Sequence, residues 1–210
     1  VNPKVKIYGV QAAGASSMKN SVLHGKIERL PTVSTIADGI AVKEPGQYTF
    51  DICRHYLDGI VTVTDDEIST AILTLMEKHK LVAEGAGAAA VAAALFGKIP
   101  VEGRKTICLV SGGNIDVNIL SRVINRGLQT TGRSCVLTIE LLDKPGQLRA
   151  VTSIVAEMGA NILSVYHERS GNSIEVNGCF LRMTLETRDY GHIEAIKRTL
   201  SEAGFLLINN

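Results

Sequence analysis

The residues best suited to chemistry in this chain form the run Ser111-Gly112-Gly113-Asn114. Residues 106–110 have the apolar character of a buried strand, and an apolar helical pattern follows the run. An α/β sheet binds its ligands at the carboxyl edge of its strands, so this position would present a hydroxyl and bare backbone to a small molecule. The run therefore predicts a ligand site whose side-chain donor is the serine hydroxyl.

A second candidate is Glu84, which stands just before Gly85 and Gly87. Glycines at the start of a helix let its backbone approach a ligand closely, and Gly39 would do the same in a loop. Simpler interpretations stay open beside these. Glu84 can be an exposed acid that favours the positive end of a helix dipole. Gly39 can belong to an ordinary turn, and Ser111 can merely cap the following helix. Gly112 and Gly113 can equally be glycines required for packing.

The elements that must position these residues alternate strand and helix up to about residue 127. Thr64 and Glu67 are spaced as a capping box, which predicts a helix start directly after a strand. Strands that alternate with helices favour a parallel sheet in an α/β fold. The predicted strands cover 5–10, 59–64 and 107–110, and the predicted helices lie near 17–24, after Thr64 and after Glu84.

The pattern changes from Ser134 onward. Strand and helix signals there follow the order βαββαβ, which is the ferredoxin-like arrangement. We therefore expect two domains, 1–127 and 134–210, joined by a connecting segment at 128–133. In the second domain the predicted strands cover 135–142, 161–167, 180–186 and 205–208, the predicted helices follow the turn at 143–146 and cover 192–203, and a polar loop covers 171–178.

Composition excludes several function classes. The formal net charge of +1 and the absence of Trp give no reason to expect nucleic-acid or anionic-membrane binding. No apolar run is long enough to span a bilayer, and no signal peptide is visible. The cysteines are widely spaced, which favours free thiols in a reducing compartment and a cytoplasmic protein. These are Cys53, Cys108, Cys135 and Cys179.

Several motifs in order resemble those of a known family. The first domain is similar to the carboxyl-terminal part of a fold-type II pyridoxal-phosphate enzyme, and most closely to the threonine dehydratase (threonine ammonia-lyase) family. The second domain resembles an ACT domain, whose first loop would be residues 143–148. The runs that carry the first resemblance are Thr35-Ile36-Ala37-Asp38-Gly39-Ile40-Ala41-Val42, Val63-Thr64-Asp65-Asp66-Glu67-Ile68, Ala83-Glu84-Gly85-Ala86-Gly87-Ala88 and Ser111-Gly112-Gly113-Asn114.

The resemblance implies a role for each matching residue. Ser111 would hydrogen-bond the pyridine nitrogen of pyridoxal 5'-phosphate, and a neutral hydroxyl there suits β-elimination because the ring nitrogen is not held protonated. Gly112, Asn114, Gly39 and Glu84 would line the same cofactor pocket. The implied substrates are threonine, which would give 2-oxobutyrate and ammonia, and serine, which would give pyruvate.

The second domain would bind a small regulatory amino acid, such as isoleucine or valine, at the interface of a homo-oligomer, either a dimer or a tetramer. Backbone donors would come from the loop and the helix start. The alternative is a dimerisation unit without a ligand, which needs only an edge strand. The residues implied in effector binding are Asp143, Pro145, Gly146, Gln147, Leu148 and Asn161.

Two departures from the family stand out. Some relatives bind a divalent cation through acidic residues, but the matching positions here are Gln11, Ala15 and Ser17, so we expect no metal at that place, or a monovalent ion at most. The family's Schiff-base lysine also has no counterpart, since no lysine lies in a matching context. The chain is therefore expected to hold no catalytic residue, to be inactive by itself, and to form the back part of a longer enzyme. The alternative is a free-standing protein that binds amino acids and regulates or assembles with full-length subunits.

Overall fold

The computed structural model describes residues 4–169 and 178–208. The chain divides into two compact units, Val1–Gly127 and Leu128–Asn210. An α/β unit is followed by an antiparallel α+β unit, which confirms the predicted fold class.

A short parallel sheet lies at the centre of the first unit. Strand β1 pairs with β2 in register, from Tyr8 opposite Gly59 to Ala12 opposite Val63. The bounds are β1 Tyr8–Ala12, β2 Gly59–Val63, α1 Ser17–His24, α2 Gln47–Tyr56, α3 Asp65–Thr74, α4 Gly85–Leu95 and α5 Val117–Thr130, with short 3-10 turns at Ala13–Ala15 and Asp38–Ile40 and a π turn at Leu75–His79.

The start of α3 follows from its sequence. The Glu67 backbone N–H donates to Thr64 Oγ1 at 3.2 Å, and the Thr64 N–H donates to Glu67 Oε2 at 2.8 Å. The predicted capping box is thereby confirmed, and two donors that the helix leaves unpaired are satisfied. Behind the cap, Ile68 and Ile72 are fully buried in the core beside the alanines of α4.

The predicted strand at 107–110 is wrong. The described residues contain no partner strand for this segment, and Ile107 and Leu109 are 96% and 79% exposed. A strand requires hydrogen bonds to a neighbouring backbone, and apolar composition alone does not supply them. Strand β1 also begins at Tyr8 rather than at residue 5, because the Ile7 N–H bonds to the Asp58 carboxylate at 2.8 Å. Helix α2 was not expected at all.

The second unit is a four-stranded antiparallel sheet in the order β4-β5-β3-β6 with two helices, which confirms the ferredoxin-like prediction. Residues 128–130, which we placed in the connecting segment, form the last turn of α5. The predicted polar loop at 171–178 lies outside the described residues except for Gly178, which begins β5. The bounds are β3 Ser134–Leu142, α6 Gln147–Glu157, β4 Asn161–Glu168, β5 Gly178–Glu186, α7 Tyr190–Glu202 and β6 Leu206–Ile208.

The core of this unit is aliphatic. Side chains from one face of β3 and β5, including Ile139, Leu181 and Met183, pack against Val151 of α6 and Ile196 of α7. All five are completely buried. In both units, no helix among the described residues combines the length and the apolar character that crossing a membrane requires.

Candidate functional site

Three of the predicted cofactor residues meet in the first unit. Gly112 lies so close to Glu84 that a β-carbon at residue 112 would overlap its carboxylate. The backbone at Gly112 has a φ of +71°, which also favours glycine. A β-carbon at Gly39 would lie 3.1 Å from the Ala86 β-carbon and 3.4 Å from Glu84 Oε1. Glu84 is therefore flanked by two glycines that expose bare backbone.

The Ser111 backbone lies against the start of α4. A β-carbon at Gly87 would overlap the Ser111 carbonyl oxygen, so only glycine allows the helix to come this close. The Glu84 N–H donates to the Gly112 carbonyl at 3.2 Å and fixes the same approach from the other side. The Ser111 residue is exposed, and its hydroxyl forms no hydrogen bond within the described part of the chain.

The Glu84 side chain does not cap its own helix. It is the residue before α4 and has an extended backbone, but its carboxylate accepts no capping hydrogen bond. The residue is half-buried rather than exposed. A carboxylate held there with no hydrogen bond or ion pair to a described residue is available to a ligand.

Asn114 is the remaining cofactor residue predicted in this run, and it is exposed. Gly113, beside it, approaches the Val82 carbonyl, where a β-carbon would lie at 3.2 Å. Gly112 and Gly113 therefore both lie close to the segment just before α4.

A cavity of ≈ 280 Å³ opens beside Gly39. Its wall includes Gln11, Ser17 and, from α2, Thr49 and Cys53. Burial raises the pKa of the Cys53 thiol, so this wall stays uncharged. Sequence reasoning missed the cavity because it missed α2, although Gly46 and the apolar Phe50 were signals of a helix start.

The position where relatives were expected to bind a cation is occupied by hydrogen bonds between protein groups. Gln11 Nε2 donates to the Ala15 carbonyl at 3.0 Å, and Gln11 Oε1 accepts from the Lys19 N–H at 2.8 Å. The Ser17 hydroxyl donates to the Val42 carbonyl at 2.7 Å. None of these three side chains is a carboxylate, and the absence of a metal at this place stays a prediction.

The predicted effector loop joins β3 to α6. The Lys144 N–H donates to the Leu142 carbonyl at 2.8 Å, and Gly146 has a φ of +94°. Gly146 also precedes the helix without any side-chain cap. The loop residues Asp143, Pro145, Gly146 and Leu148 are exposed, and Gln147 is half-buried. The first N–H groups of α6 are thus open to an anionic group.

Asn161 does not lie near that loop within one chain. It pairs with Glu186, which in turn pairs with Ser134 at the first residue of β3. Asp143 follows the last residue of β3, nine residues beyond Ser134, so a rise of about 3.3 Å per residue separates Asn161 from Asp143 by roughly 30 Å. The Asn161 amide donates to Glu186 Oε2 at 2.9 Å. One ligand can contact both only if they come from different copies of the chain.

Asp143 of the same loop also lies near two side chains of the sheet, His167 and Cys179. One possible metal-binding atom of each of the three residues lies within 4.8 Å of the others. Spacing in the sequence did not reveal this cluster. His167 lies on β4 and Cys179 on β5, and it is the pairing register of these two strands that makes the two side chains neighbours.

An α/β unit whose pocket wall includes Gly9, Gly39 and Gly46 is followed by a ferredoxin-like unit, which defines a two-domain α/β and α+β protein. Residues 1–113 match the family described as "Pyridoxal-phosphate dependent enzyme", and residues 136–202 match the ACT domain. The chain therefore belongs to the family of pyridoxal-phosphate dependent enzymes and carries an ACT domain. This confirms the resemblance and the cofactor class inferred from the sequence.

Individual relatives agree with this membership. The chain is 46% identical over 205 residues to an L-threonine ammonia-lyase of Thermotoga maritima and 42% identical over 206 residues to one of Geobacter sulfurreducens. Each match covers 98% of this chain and 51% of the relative, so the chain spans about half the length of these curated relatives. The structure of the processed form of threonine deaminase isoform 2 from Solanum lycopersicum aligns with a TM-score of 0.56 and 37% identity, over 60% of this chain and 35% of that one.

Proposed function

We propose that this chain is part of a threonine ammonia-lyase that converts L-threonine to 2-oxobutyrate and ammonia, with L-serine as a second substrate. The observation that carries the proposal is similarity over both units to proteins named L-threonine ammonia-lyase. The glycine-flanked carboxylate of Glu84 and the unbonded Ser111 hydroxyl lie in the unit that matches the cofactor-binding family.

The residues present fit one end of a pyridoxal-phosphate ring. Gly39 and Gly112 both lie against Glu84, and the absence of a β-carbon at each lets the Glu84 carboxylate stand between them. Ser111, exposed and without a hydrogen bond in the described chain, offers a neutral donor to the ring nitrogen. Asn114 belongs to this set by the resemblance alone.

Pyridoxal phosphate, when bound, withdraws electrons from the α-carbon of an amino acid. The role of Ser111 is to donate a hydrogen bond to the ring nitrogen without transferring a full proton, which moderates that withdrawal. This tuning suits elimination, in which the β-hydroxyl leaves promptly after the α-proton is lost. Glu84 keeps its carboxylate beside the Gly112 backbone, where it would line one side of the cofactor pocket.

The first experiment examines the coding sequence upstream of Val1 and then the protein it specifies. We expect an in-frame segment with a Schiff-base lysine and a glycine-rich phosphate loop. The polypeptide that includes it should form 2-oxobutyrate from threonine. Ser111→Ala should lower kcat by at least about tenfold while Ser201→Ala, on the exposed end of α7, leaves it unchanged. An upstream sequence without these features, or full activity in Ser111→Ala, contradicts the proposal.

The second experiment uses the 210-residue chain itself. Supplied with pyridoxal phosphate, it should form no 2-oxobutyrate at an enzyme-like rate, because no lysine in a Schiff-base context is present. Isothermal titration with isoleucine and valine then addresses the alternative of a free-standing amino-acid-binding protein. Saturable heat combined with an upstream sequence that lacks the lysine would favour that alternative.

For the ACT domain, we propose that an amino acid such as isoleucine or valine binds between two copies of the chain. The loop at 143–148 would supply backbone donors to the carboxylate, and Asn161 of a second copy would supply an amide. The separation of the two within one chain supports this arrangement. The edge strand β4 exposes Leu163, Val165 and Tyr166, an apolar edge of the kind that pairs with another strand.

The proposed setting is the cytoplasm. All four cysteines lie within the described residues and are free thiols, although burial raises the pKa of each. Such thiols suit a reducing compartment. Quantitative recovery of four reduced thiols from freshly lysed cells would support this setting, and a disulfide between any two would argue against it.

A further inference from the structure

We propose that Asp143, His167 and Cys179 form a binding site for a divalent transition-metal ion of the zinc type in the ACT domain. A carboxylate oxygen, the imidazole Nε2 and the thiol Sγ all lie within 4.8 Å of one another. This set lies apart from the residues proposed for the cofactor, so its failure would leave the lyase proposal untouched.

The sheet brings the three residues together through its register. Leu141 pairs with Cys179, so Asp143 follows just beyond the same end of β3. On the other side of β5, His167 pairs with Leu181, which shares a sheet face with Cys179. His167 is therefore diagonal to Cys179 on one face of the sheet, and Asp143 follows the end of β3 beside them.

A β-bulge is responsible for the presence of His167 in this group. Ile162 pairs with Leu185, but after the register shift Ser164 pairs with Thr184. Without the extra residue, Tyr166 would stand opposite Leu181 and His167 would point to the other face. Bulges that redirect one side chain in this way are frequent beside functional sites.

The donor set is suited to zinc. Zn²⁺ binds Cys, His and Asp with Zn–S distances of about 2.3 Å and Zn–N distances of about 2.0–2.1 Å in a tetrahedral arrangement. Two such ligands lie about 3.5 Å apart by that geometry. His167 Nε2 and Cys179 Sγ are 3.0 Å apart, so a small opening would admit the ion. Three protein ligands leave the fourth position to solvent.

Burial divides the site into an inner and an outer side. Cys179 is 1% exposed and closes the inner side, whereas Asp143 and His167 are exposed and provide the path of entry. Arg169 Nε contacts Asp143 Oδ2 at 3.1 Å and would have to give way. The Arg169 side chain is 67% exposed and that of Asp143 is 35% exposed, so water screens this ion pair and its loss costs little.

Charge also favours an ion. Binding would replace the S–H bond of Cys179 with an S–metal bond and release the proton to solvent, so thiolate and carboxylate together balance the two positive charges. In the absence of metal, burial raises the pKa of the Cys179 thiol, the nearby Asp143 charge raises it further, and Arg169 opposes both. A cation beside the sulfur reverses that balance.

The test uses the 210-residue chain, reduced, stripped of metal and without a histidine tag, with Co²⁺ as the probe. We expect one Co²⁺ per chain, a thiolate-to-cobalt charge-transfer band and displacement by Zn²⁺. Cys179→Ser should abolish the band. His167→Gln and Asp143→Asn should each weaken Co²⁺ binding by at least about tenfold. Cys135→Ser, a cysteine in the same sheet, is the matched control and should bind as the unmodified chain does.

His167→Gln carries the test if Cys179→Ser fails to fold, because His167 is exposed and Cys179 is part of the core. The absence of a charge-transfer band in the unmodified chain would overturn the proposal. Unchanged affinity in His167→Gln would do the same, as would loss of the band in Cys135→Ser. In each of those cases the three residues serve only to hold one another through the His167–Cys179 hydrogen bond and the Arg169–Asp143 ion pair.

Discussion

The carboxylate of Glu84 occupies the space into which a β-carbon of residue 112 would project. Gly112 also has a φ of +71°. The two residues are far apart in sequence, yet the acid at the start of α4 and the glycine after Ser111 depend on each other. Position 112 is thus restricted to glycine for two separable reasons, backbone conformation and contact with Glu84.

Gly112→Ala should therefore destabilise the chain more than Gly25→Ala. Both positions have a φ of +71°, but at Gly25 no atom lies within 4 Å of the added methyl group. Gly25→Ala should cost only the left-handed backbone strain, about 1–2 kcal/mol. The further cost in Gly112→Ala should disappear in the double variant with Glu84→Ala, as measured by urea unfolding. Strictly additive effects of the two substitutions would contradict the contact.

Gly87→Ala should be destabilising although it replaces glycine by alanine in a helix. In an unconstrained helix that change stabilises by about 0.5–1 kcal/mol. Here the methyl group meets the backbone carbonyl of Ser111, which cannot rotate away as a side chain can. We expect a loss of about 1–3 kcal/mol, read from urea unfolding. Gly46→Ala is the control, since its methyl group would lie 3.5 Å from Thr49 Oγ1, an ordinary contact. Equal stability of Gly87→Ala and the unmodified chain would refute the close approach.

The sequence predicted most of what is encoded locally. The capping box at Thr64, the helix that follows Glu84 and the βαββαβ order of the second unit are visible in spacing and periodicity. It did not predict that residues 106–110 stay unpaired, because pairing depends on what lies beside a strand. It also missed the approach of His167 to Cys179, since one bulged residue in β4 decides which side chain faces the core.

Glu67 should give the stability of the first unit a pH dependence. Burial raises the pKa of its carboxyl, but the Lys98 ammonium at 2.8 Å and the Thr64 N–H outweigh it and hold the pKa below its ordinary value. A carboxyl with a lowered pKa stabilises the folded chain fully above its unfolded pKa of about 4.3. The effect is lost as the pH falls through the lower folded pKa.

Glu67→Gln isolates that effect, because glutamine can still complete a capping box but cannot pair with Lys98. At pH 7 the variant should be less stable than the unmodified chain, and the difference should vanish in acid. Glu157→Gln, exposed at the end of α6, should show no such trend. Thermal melts from pH 7 to pH 2 provide the measurement. A difference that stays constant with pH would show that the Lys98 pair contributes nothing.

The separation of Asn161 from the loop at 143–148 leads to a complementation experiment. If an effector contacts the loop of one copy and Asn161 of another, neither variant alone can form a complete site. Purified dimers of Asn161→Ala, and purified dimers of Gly146→Val, should therefore not bind isoleucine or valine. A mixture refolded together contains heterodimers in which one site combines the intact loop with the intact asparagine. An equal mixture should then recover about one quarter of the unmodified binding capacity, because half the dimers are mixed and each has one intact site. Isothermal titration measures that capacity directly. No recovery in the mixture, with both variants folded and dimeric, would place the loop and Asn161 in separate roles.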